Sequence, residues 1–254
     1  MPFQHLLDSL QQHIGLSRSI VVYYGLPFHQ WALRRFYRQF VGSNDLCFDV
    51  GAHVGNRVRV WSMLGARVVA LEPQPQCMRL LQRWYGHQPN VVLLAQAVGA
   101  APGQHTLWIS QRTPTVSTVS PAWRATVQQT ASFRNVRWDH QVTVPATTLD
   151  ALIGQYGEPA FCKIDVEGAE ADVLRGLSRP LKSLSFEYLP AAIDVALDCI
   201  ARLQTLGRYE YNWSVSEWPW LRSAAWLSAR QMSAFLQQLP PTAASGDVYA
   251  RCIG

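Results

Sequence analysis

The segment CFDVGAHVG, residues 47–55, constrains the fold more than any other part of the chain. It joins an apolar run to a glycine-rich turn, and a second apolar run, residues 68–71, ends at Glu72. An apolar run, a glycine turn, a helix and a second run ending in an acid form the first half of a nucleotide-binding βαβ unit. The glycines let a ligand approach the backbone, and the Glu72 carboxylate can accept two hydrogen bonds from a ribose diol.

The order of acid and glycines in this turn distinguishes between cofactors. A dinucleotide-binding turn has the pattern G-x-G-x-x-G, so that a pyrophosphate binds at the helix N-terminus. Here the glycines are Gly51 and Gly55, and Asp49 precedes them. A carboxylate at this position repels a pyrophosphate but pairs with an ammonium group. The turn therefore favours S-adenosylmethionine, which carries an ammonium, a sulfonium and a ribose but no phosphate.

Composition and length predict one α/β domain with additions. The chain has 254 residues, 48% of them hydrophobic, and its five cysteines are scattered without a metal-binding spacing. No basic segment followed by an apolar one opens the chain, and the apolar run at 20–28 is short and interrupted by Pro27. We therefore expect a reduced, cytoplasmic protein with no signal peptide and no membrane span.

Charge is distributed unevenly along the chain. Residues 1–138 hold 13 arginines and 4 acidic residues, whereas residues 139–254 hold 9 basic and 13 acidic residues. No acid lies between Glu72 and Asp139. This basic region either attracts an anionic acceptor or is a solvated, arginine-rich surface. We expect no nucleic-acid partner, because the chain has neither a dense basic run nor a basic and aromatic recognition motif.

Alternating apolar and amphipathic segments predict a mainly parallel sheet with helices on both faces, and an antiparallel C-terminal edge. Thr147 with Asp150 resembles a capping box that opens a helix. The predicted strands are 46–50, 67–72, 90–95, 105–109, 142–146, 160–165, 184–187, 209–214 and 247–251, and the predicted helices are 3–13, 28–40, 55–64, 75–85, 147–155, 191–206 and 228–238.

Two domain boundaries follow from this pattern. Residues 1–44 form a helical extension, and residues 45–254 form the cofactor-binding domain. Within that domain, residues 111–140 lack a clear period, which is typical of a functional loop, and we expect this segment to contact the substrate. Residues 208–222, with three tryptophans, are expected to shape the same acceptor pocket. The aromatic face of the N-terminal helices is either a packing surface or the interface of a homo-oligomer.

A second polar constellation is the segment KIDVEGAE, residues 163–170. Ligands of open α/β sheets bind at the carboxyl ends of the strands, where Asp49, Glu72, Asp165 and Glu187 are all predicted to lie. Lys163 lies two residues before Asp165 in a strand, so both side chains should point to one face. They are either catalytic residues or a buried ion pair. Glu167 and Glu170 are either ligand contacts or stabilising acids at the next helix N-terminus.

The chain resembles the FkbM family of bacterial methyltransferases. The matching segments are residues 48–55, 69–73, 163–170 and 184–187, and the resemblance extends over residues 46–251. It implies a Rossmann-like class I methyltransferase fold and S-adenosylmethionine as methyl donor. It further implies O-methylation of a hydroxyl on a small molecule or a glycan sugar.

The resemblance also implies roles for individual residues. Asp49 and the glycine turn line the methionine side of the cofactor, Glu72 holds the ribose, and Gln96 and Ala97 border the adenine. His53 occupies a position that is commonly Asn in the family. The complete cofactor-binding set is Asp49, Gly51, Ala52, His53, Gly55, Glu72, Pro73, Gln96, Ala97 and Asp165.

Methyl transfer to an alcohol requires removal of the hydroxyl proton. We predict Asp165 as the general base, with Glu187 as the next choice and Lys163 tuning the charge. A histidine base, His53 or His140, is an alternative. Another is a divalent metal held by Asp165 and Glu187, but no residue cluster is metal-specific, so we assign no metal site.

Other classes of protein remain as competing hypotheses. A nicotinamide oxidoreductase shares the glycine turn but needs the absent G-x-G pattern. A non-catalytic Rossmann-like module would bind a partner through the N-terminal helices and would not bind the cofactor. A nucleic-acid methyltransferase would show binding that falls steeply with salt.

Overall fold

The computed structural model describes residues 17, 20, 21, 24 and 29–254. A seven-stranded sheet has the order β3-β2-β1-β7-β8-β10-β9, and a three-stranded sheet has the order β4-β6-β5. The strands are β1 Leu46–Val50, β2 Arg67–Leu71, β3 Val91–Leu94, β4 Ala97–Val98, β5 Gly103–Ile109, β6 His140–Thr147, β7 Phe161–Ile164, β8 Ser183–Tyr188, β9 Tyr209–Trp213 and β10 Gly246–Cys252.

The main sheet confirms the predicted α/β fold with an antiparallel C-terminal edge. Strands β3, β2, β1, β7 and β8 pair in parallel, and β10 is antiparallel to both β8 and β9. Parallel strands of one sheet end at a common edge. The loops that follow β1, β2, β3 and β7 therefore meet there, and these loops carry most of the predicted site.

Helices cover both faces of the main sheet. Those on one face are α1 His29–Tyr37, α2 Asn56–Met63 and α3 Pro75–Tyr85, and those on the other are α5 Leu149–Tyr156, α6 Glu170–Arg175, α7 Asp194–Leu206 and α8 Ala229–Gln237. Each buries an apolar stripe, as helical periodicity predicts. In α1 the aromatic side chains of Phe36 and Tyr37 are buried, and the Phe36 ring lies 5.2 Å from that of Tyr249. This aromatic face therefore packs on the domain itself.

Strand β1, in the interior of the sheet, contains one buried polar side chain. All five residues of β1 are buried, as expected for a strand covered by helices on both sides. Phe48 and Val50 belong to one hydrophobic core, and Cys47 belongs to the other. Asp49 shares the face of Cys47 by strand alternation and is 1% exposed. A carboxylate at this position is costly unless something compensates it.

Two predicted elements are corrected by the structure. Thr147 is not the cap of α5, because it still pairs with Val98 as the last residue of β6. The cap is Thr148, whose hydroxyl accepts a hydrogen bond from the backbone N–H of Ala151 at 3.1 Å. The helix predicted at 191–206 begins as a 3₁₀ turn, and its α-helical part starts at Asp194. The helix predicted at 3–13 lies outside the described residues.

The segment 111–140 has more regular structure than its sequence suggests. It contains α4, Pro121–Val127, and two 3₁₀ turns, Pro114–Val116 and Ala131–Phe133. It connects β5 to β6. The periodicity of the chain does not predict that these strands belong to a separate, smaller sheet. The domain boundary at residue 44 and the substrate-binding role of this segment stay predictions.

All five cysteines are unpaired, and only Cys252 is not buried. The four buried cysteines are thus part of the protein interior, where a free cysteine behaves as a small hydrophobic residue. Within the part of the chain that the structure describes, no helix combines the length and the apolar character needed to cross a bilayer.

Candidate active site

Two adjoining cavities lie at the carboxyl ends of the main-sheet strands. The larger is lined by the predicted residues Gly51, His53, Glu72, Pro73, Gln96, Ala97 and Asp165. The smaller is lined by the predicted residues Asp49, Gly51, Ala52, His53, Lys163 and Asp165. The two cavities share Gly51, His53 and Asp165. Of the residues predicted for cofactor binding and of the preferred catalytic residues, Gly55 and Glu187 line neither cavity.

The glycine turn brings β1 against the loop that follows β7. Gly51 has φ +86°, and a Cβ atom there would lie 1.8 Å from the backbone oxygen of Asp165. No side chain fits at that distance, so Gly51 allows the two loops to touch. Gly55 has φ +79° and precedes the first residue of α2. Its role is to turn the chain into the helix beneath the cavities.

Asp49 presents a carboxylate oxygen without a partner to the smaller cavity. Its Oδ2 atom has no hydrogen-bond partner among the residues that the structure describes. Burial raises the pKa of Asp49 to about 7, although Lys163 and Arg57 act in the opposite direction. Buried polar atoms in folded proteins are nearly always hydrogen-bonded. The Oδ2 atom is therefore available to a donor that enters the cavity.

Glu72 is held in place by two backbone amides. Its Oε2 accepts a hydrogen bond from the N–H of His53, and its Oε1 accepts one from the N–H of Gln74, both at 2.7 Å. Burial raises the pKa of Glu72 to about 7, although both amides lower it. Each oxygen keeps a further lone pair. This rigid acceptor in the larger cavity suits a diol, as predicted for the ribose.

Lys163 stands at the centre of a buried charge network. Its Nζ lies 2.8 Å from Oδ1 of Asp247 and 3.1 Å from Oδ2 of Asp165. Burial acts to lower the pKa of Lys163, but these two carboxylates hold it well above its usual range. Lys163 and Asp165 therefore form an ion pair, one of the two alternatives predicted for them, with Lys163 protonated. Their catalytic roles stay predictions.

Arg57 extends the network to a surface loop. Its Nη2 donates to Oε2 of Glu217 at 3.0 Å and lies 3.9 Å from Oδ2 of Asp247, while its Nε donates to the hydroxyl of Tyr37 at 3.0 Å. Arg57 and Glu217 both line the smaller cavity. The smaller cavity thus has charged groups of both signs in its walls.

Three carboxylates cluster beside the cavities. Oxygen atoms of Asp165, Glu167 and Glu187 all lie within 4.8 Å of one another. Burial, and then the neighbouring carboxylates, raise the pKa values of Glu167 and Glu187 well above the usual range. Such a group can share a proton or hold a hard divalent cation. Glu167 thereby joins the two residues named for the metal alternative.

The paired alternatives left open for Glu170, His53 and His140 can be compared with the position of each side chain. Glu170 is 1% exposed and accepts hydrogen bonds from the backbone N–H groups of Val166 and Gly168 at 2.9 and 3.0 Å, so it closes the loop before α6. Burial lowers the pKa of His53 to about 4, which keeps its imidazole neutral at pH 7. His140 is exposed at the start of β6 and lines neither cavity.

The segment 111–140 lies against the loops that follow β2 and β7. The hydroxyl of Thr118 donates to the backbone oxygen of Glu167 at 2.6 Å, and Nε2 of Gln74 donates to that of Pro114 at 2.9 Å. Ser117 of this segment lines the larger cavity. The segment therefore forms one wall of the cavity that holds Glu72.

Several residues of the site were not found by sequence reasoning. They are Asn56, Arg57, Gln74, Glu217 and Asp247. The sequence contains one signal for Asp247, because it is an acid at the start of a predicted strand, and a buried lysine needs a partner. Asn56 and Arg57 directly follow the glycine turn, but their apolar neighbours gave no sign that they face a cavity.

A family model described as a methyltransferase FkbM domain matches residues 49–196, which is more than half of the chain. The protein belongs to the FkbM methyltransferase family. The matched region includes Asp49, Glu72, Lys163, Asp165 and Glu187, so the predicted site lies inside it. FkbM methyltransferases take their methyl group from S-adenosylmethionine, and this confirms the predicted cofactor and the methyltransferase class.

One curated protein and two solved structures are similar to this chain at low sequence identity. The hexuronic acid methyltransferase AglP of Haloferax volcanii is 24% identical over 145 residues, which cover 57% of this chain and 54% of AglP. The chain thus spans about half the length of that relative. Precorrin-6y C5,15-methyltransferase of Geobacter metallireducens aligns at 12% identity over 88% of this chain and 86% of its own, with a TM-score of 0.46. A TehB-like methyltransferase of Corynebacterium glutamicum aligns at 9% identity over 93% and 94%, with a TM-score of 0.45.

The residues of the two cavities fit S-adenosylmethionine. The unpartnered Oδ2 of Asp49 suits the ammonium group, and Glu72 suits the ribose hydroxyls. Gly51 leaves no side chain between the turn and the loop at Asp165. Gln96 and Ala97 line the larger cavity on the side predicted for the adenine.

Proposed function

We propose that this protein transfers the methyl group to a hydroxyl oxygen of a sugar, in a glycan or a small glycoside. The observation that carries the proposal is the position of Asp165. Its carboxylate lies in the wall shared by the two cavities and 3.1 Å from the ammonium group of Lys163. A half-buried acid at this junction can accept a proton from a hydroxyl that approaches the cofactor.

The chain contributes positioning and proton transfer to this reaction. Bound S-adenosylmethionine supplies an activated methyl group, and the electrons of the methyl–sulfur bond stay on the sulfur. Asp49 would hold the methionyl ammonium of the cofactor and Glu72 its ribose hydroxyls, and Asp165 takes the acceptor hydroxyl proton as the new carbon–oxygen bond forms. Burial raises the pKa of Asp165, although Lys163 lowers it, and a raised pKa makes the carboxylate a better base.

The acceptor side carries an exposed aromatic pair that suits a sugar. The side chains of Trp218 and Trp220 are 56% and 44% exposed, and their ring centroids lie 4.9 Å apart. They follow Glu217, which lines the smaller cavity. Indole faces offer large apolar area for stacking with little loss of side-chain entropy. The hexuronic acid substrate of AglP supports an anionic sugar as the acceptor.

Methyl transfer to a panel of sugars tests this proposal. The purified protein is incubated with methyl-labelled S-adenosylmethionine and methyl glycosides of glucuronic acid, galacturonic acid and glucose, and products are identified by mass spectrometry. Mild alkali hydrolyses a methyl ester but leaves a methyl ether intact, so this treatment separates hydroxyl from carboxyl methylation. Stable labelled sugar is the expected result. Label transferred to RNA or DNA and to no sugar would overturn the proposal.

Two variants test the identity of the base. Asp165→Asn is expected to lower kcat by about 10²–10⁴-fold, with a smaller loss of S-adenosylhomocysteine affinity, since Asp165 also lines both cofactor cavities. Glu187→Gln, the matched control within the carboxylate cluster, should lower kcat less. If Glu187→Gln has the larger effect, then Glu187 is the base.

A further inference from the structure

The smaller cavity contains two buried polar atoms of opposite character. Oδ2 of Asp49 is a hydrogen-bond acceptor, and Nδ2 of Asn56 is a donor. Neither atom has a hydrogen-bond partner among the described residues. Asp49 is 1% exposed and Asn56 is 9% exposed, yet both line the cavity. Since buried polar atoms are nearly always paired, this combination indicates a ligand that carries a donor and an acceptor close together.

The backbone around Asn56 also favours an anion. Asn56 is the first residue of α2, which has eight residues, and Gly55 before it provides no side-chain cap. The first turn of α2 contains no acidic residue. The first N–H groups of an α-helix lack intrahelical acceptors, and the helix dipole places partial positive charge there. The Asn56 amide and the helix N-terminus therefore attract negative charge, while the Asp49 carboxylate attracts positive charge.

The positive charge of Arg57 adds to this attraction for an anion, but its own hydrogen bonds are made to other protein residues. Its Nε donates to the Tyr37 hydroxyl and its Nη2 to Glu217, each at 3.0 Å. The Lys163 ammonium is likewise held by Asp165 and Asp247. Asn56 is therefore the neutral side chain in this wall whose amide donor has no partner among the described residues.

We propose that Asn56 binds the α-carboxylate of the cofactor's methionyl group while Asp49 binds its α-ammonium. The cavity then recognises an amino-acid zwitterion, and Asn56 determines the preference for ligands that retain the carboxylate. This inference rests on the cofactor and is independent of the acceptor that is methylated.

Three ligands that lose the charged groups one at a time test the assignment. They are S-adenosylhomocysteine, its decarboxylated analogue, which keeps the amine, and 5′-methylthioadenosine, which has neither group. Isothermal titration should show that Asn56→Ala weakens S-adenosylhomocysteine binding about 10- to 100-fold, the usual loss for a hydrogen bond to a charged group. The same variant should bind the other two ligands as the wild type does. Asn56→Asp, which places a carboxylate against a carboxylate, should cause a larger loss.

Matched variants separate recognition from folding. Asp49→Asn should weaken both amine-containing ligands and leave 5′-methylthioadenosine unchanged. Gln237→Ala, at an exposed amide side chain in α8, should change none of the three affinities. Thermal unfolding of each variant establishes that it is folded, and Asn56→Ser replaces Asn56→Ala if the alanine variant is not. If Asn56→Ala loses affinity equally for all three ligands, or keeps its affinity for S-adenosylhomocysteine, the assignment is overturned.

Discussion

Replacing Asp49 with asparagine is expected to stabilise the ligand-free protein at pH 8 while weakening cofactor binding. Asp49 is buried with one oxygen unpaired, and burial raises its pKa from 3.8 to about 7. Asparagine keeps the shape of the side chain and removes the charge. The variant therefore avoids the free energy needed to ionise a carboxyl group inside the sheet.

The sign and size of this effect follow from the pKa shift. Below about pH 4 the carboxyl group is neutral in both the folded and the unfolded state, so it costs nothing. Between about pH 4 and pH 7 the unfolded state ionises first, and the free energy of unfolding falls as pH rises. A shift of about 3 pKa units corresponds to about 4 kcal/mol above pH 7. For a chain of this size, even half of that amount raises Tm by about 4–8 °C.

Calorimetric or fluorescence melting at pH 8 and pH 4.5 measures the effect. Asp49→Asn should raise Tm clearly at pH 8 and much less at pH 4.5, whereas saturating S-adenosylhomocysteine should stabilise the wild type more than the variant. Asp247→Asn is the matched control on the same face of the sheet. Lys163 and Arg57 hold the pKa of Asp247 below its usual value despite burial, so this variant should lose about 3–5 kcal/mol at neutral pH. An unchanged or lower Tm for Asp49→Asn at pH 8 would refute the reasoning.

Three further predictions concern the turn, the acceptor loop and the carboxylate cluster. Gly51→Ala should lower the free energy of unfolding by about 3 kcal/mol or more, because its Cβ would overlap the backbone at Asp165. It should also abolish S-adenosylhomocysteine binding in titration. Gly154→Ala is the control and should be tolerated, because a Cβ there meets nothing within 4 Å. Trp218→Ala with Trp220→Ala should raise KM for a sugar acceptor about tenfold with the cofactor affinity unchanged, and an unchanged KM would remove the aromatic pair from the acceptor site. EDTA treatment should leave kcat unchanged if Asp165 acts as the base; loss of activity that Mg²⁺ restores would instead make the carboxylate cluster a metal site.

Much of this architecture was predictable because it depends on local signals. Buried strands appear as continuous apolar runs, and amphipathic helices appear through their period. The glycine turn and the acid at Glu72 indicate where ligand-binding loops emerge, and the parallel order of strands brings those loops to one edge. Hence the residues named for the cofactor proved to line two adjoining cavities, with Gly55 beneath them.

Local signals do not report pairings between distant parts of the chain. The smaller sheet forms because β6 pairs with both β4 and β5. No pattern in these segments indicates that they pair with one another instead of joining the main sheet. The cap of α5 is Thr148 and not the predicted Thr147, because Thr147 is still paired in β6.

The sequence by itself determined the fold class, the cofactor and the strand ends that carry the site. Only the tertiary structure decided which charges are paired, since Lys163 reaches Asp247 across 84 positions of the chain and Arg57 reaches Glu217 across 160. It also decided which polar atoms are left over, namely those of Asp49 and Asn56 in one cavity. The physical reason is that burial and hydrogen bonding are properties of three-dimensional neighbours, and an unpaired atom is recognised only when all its neighbours are known.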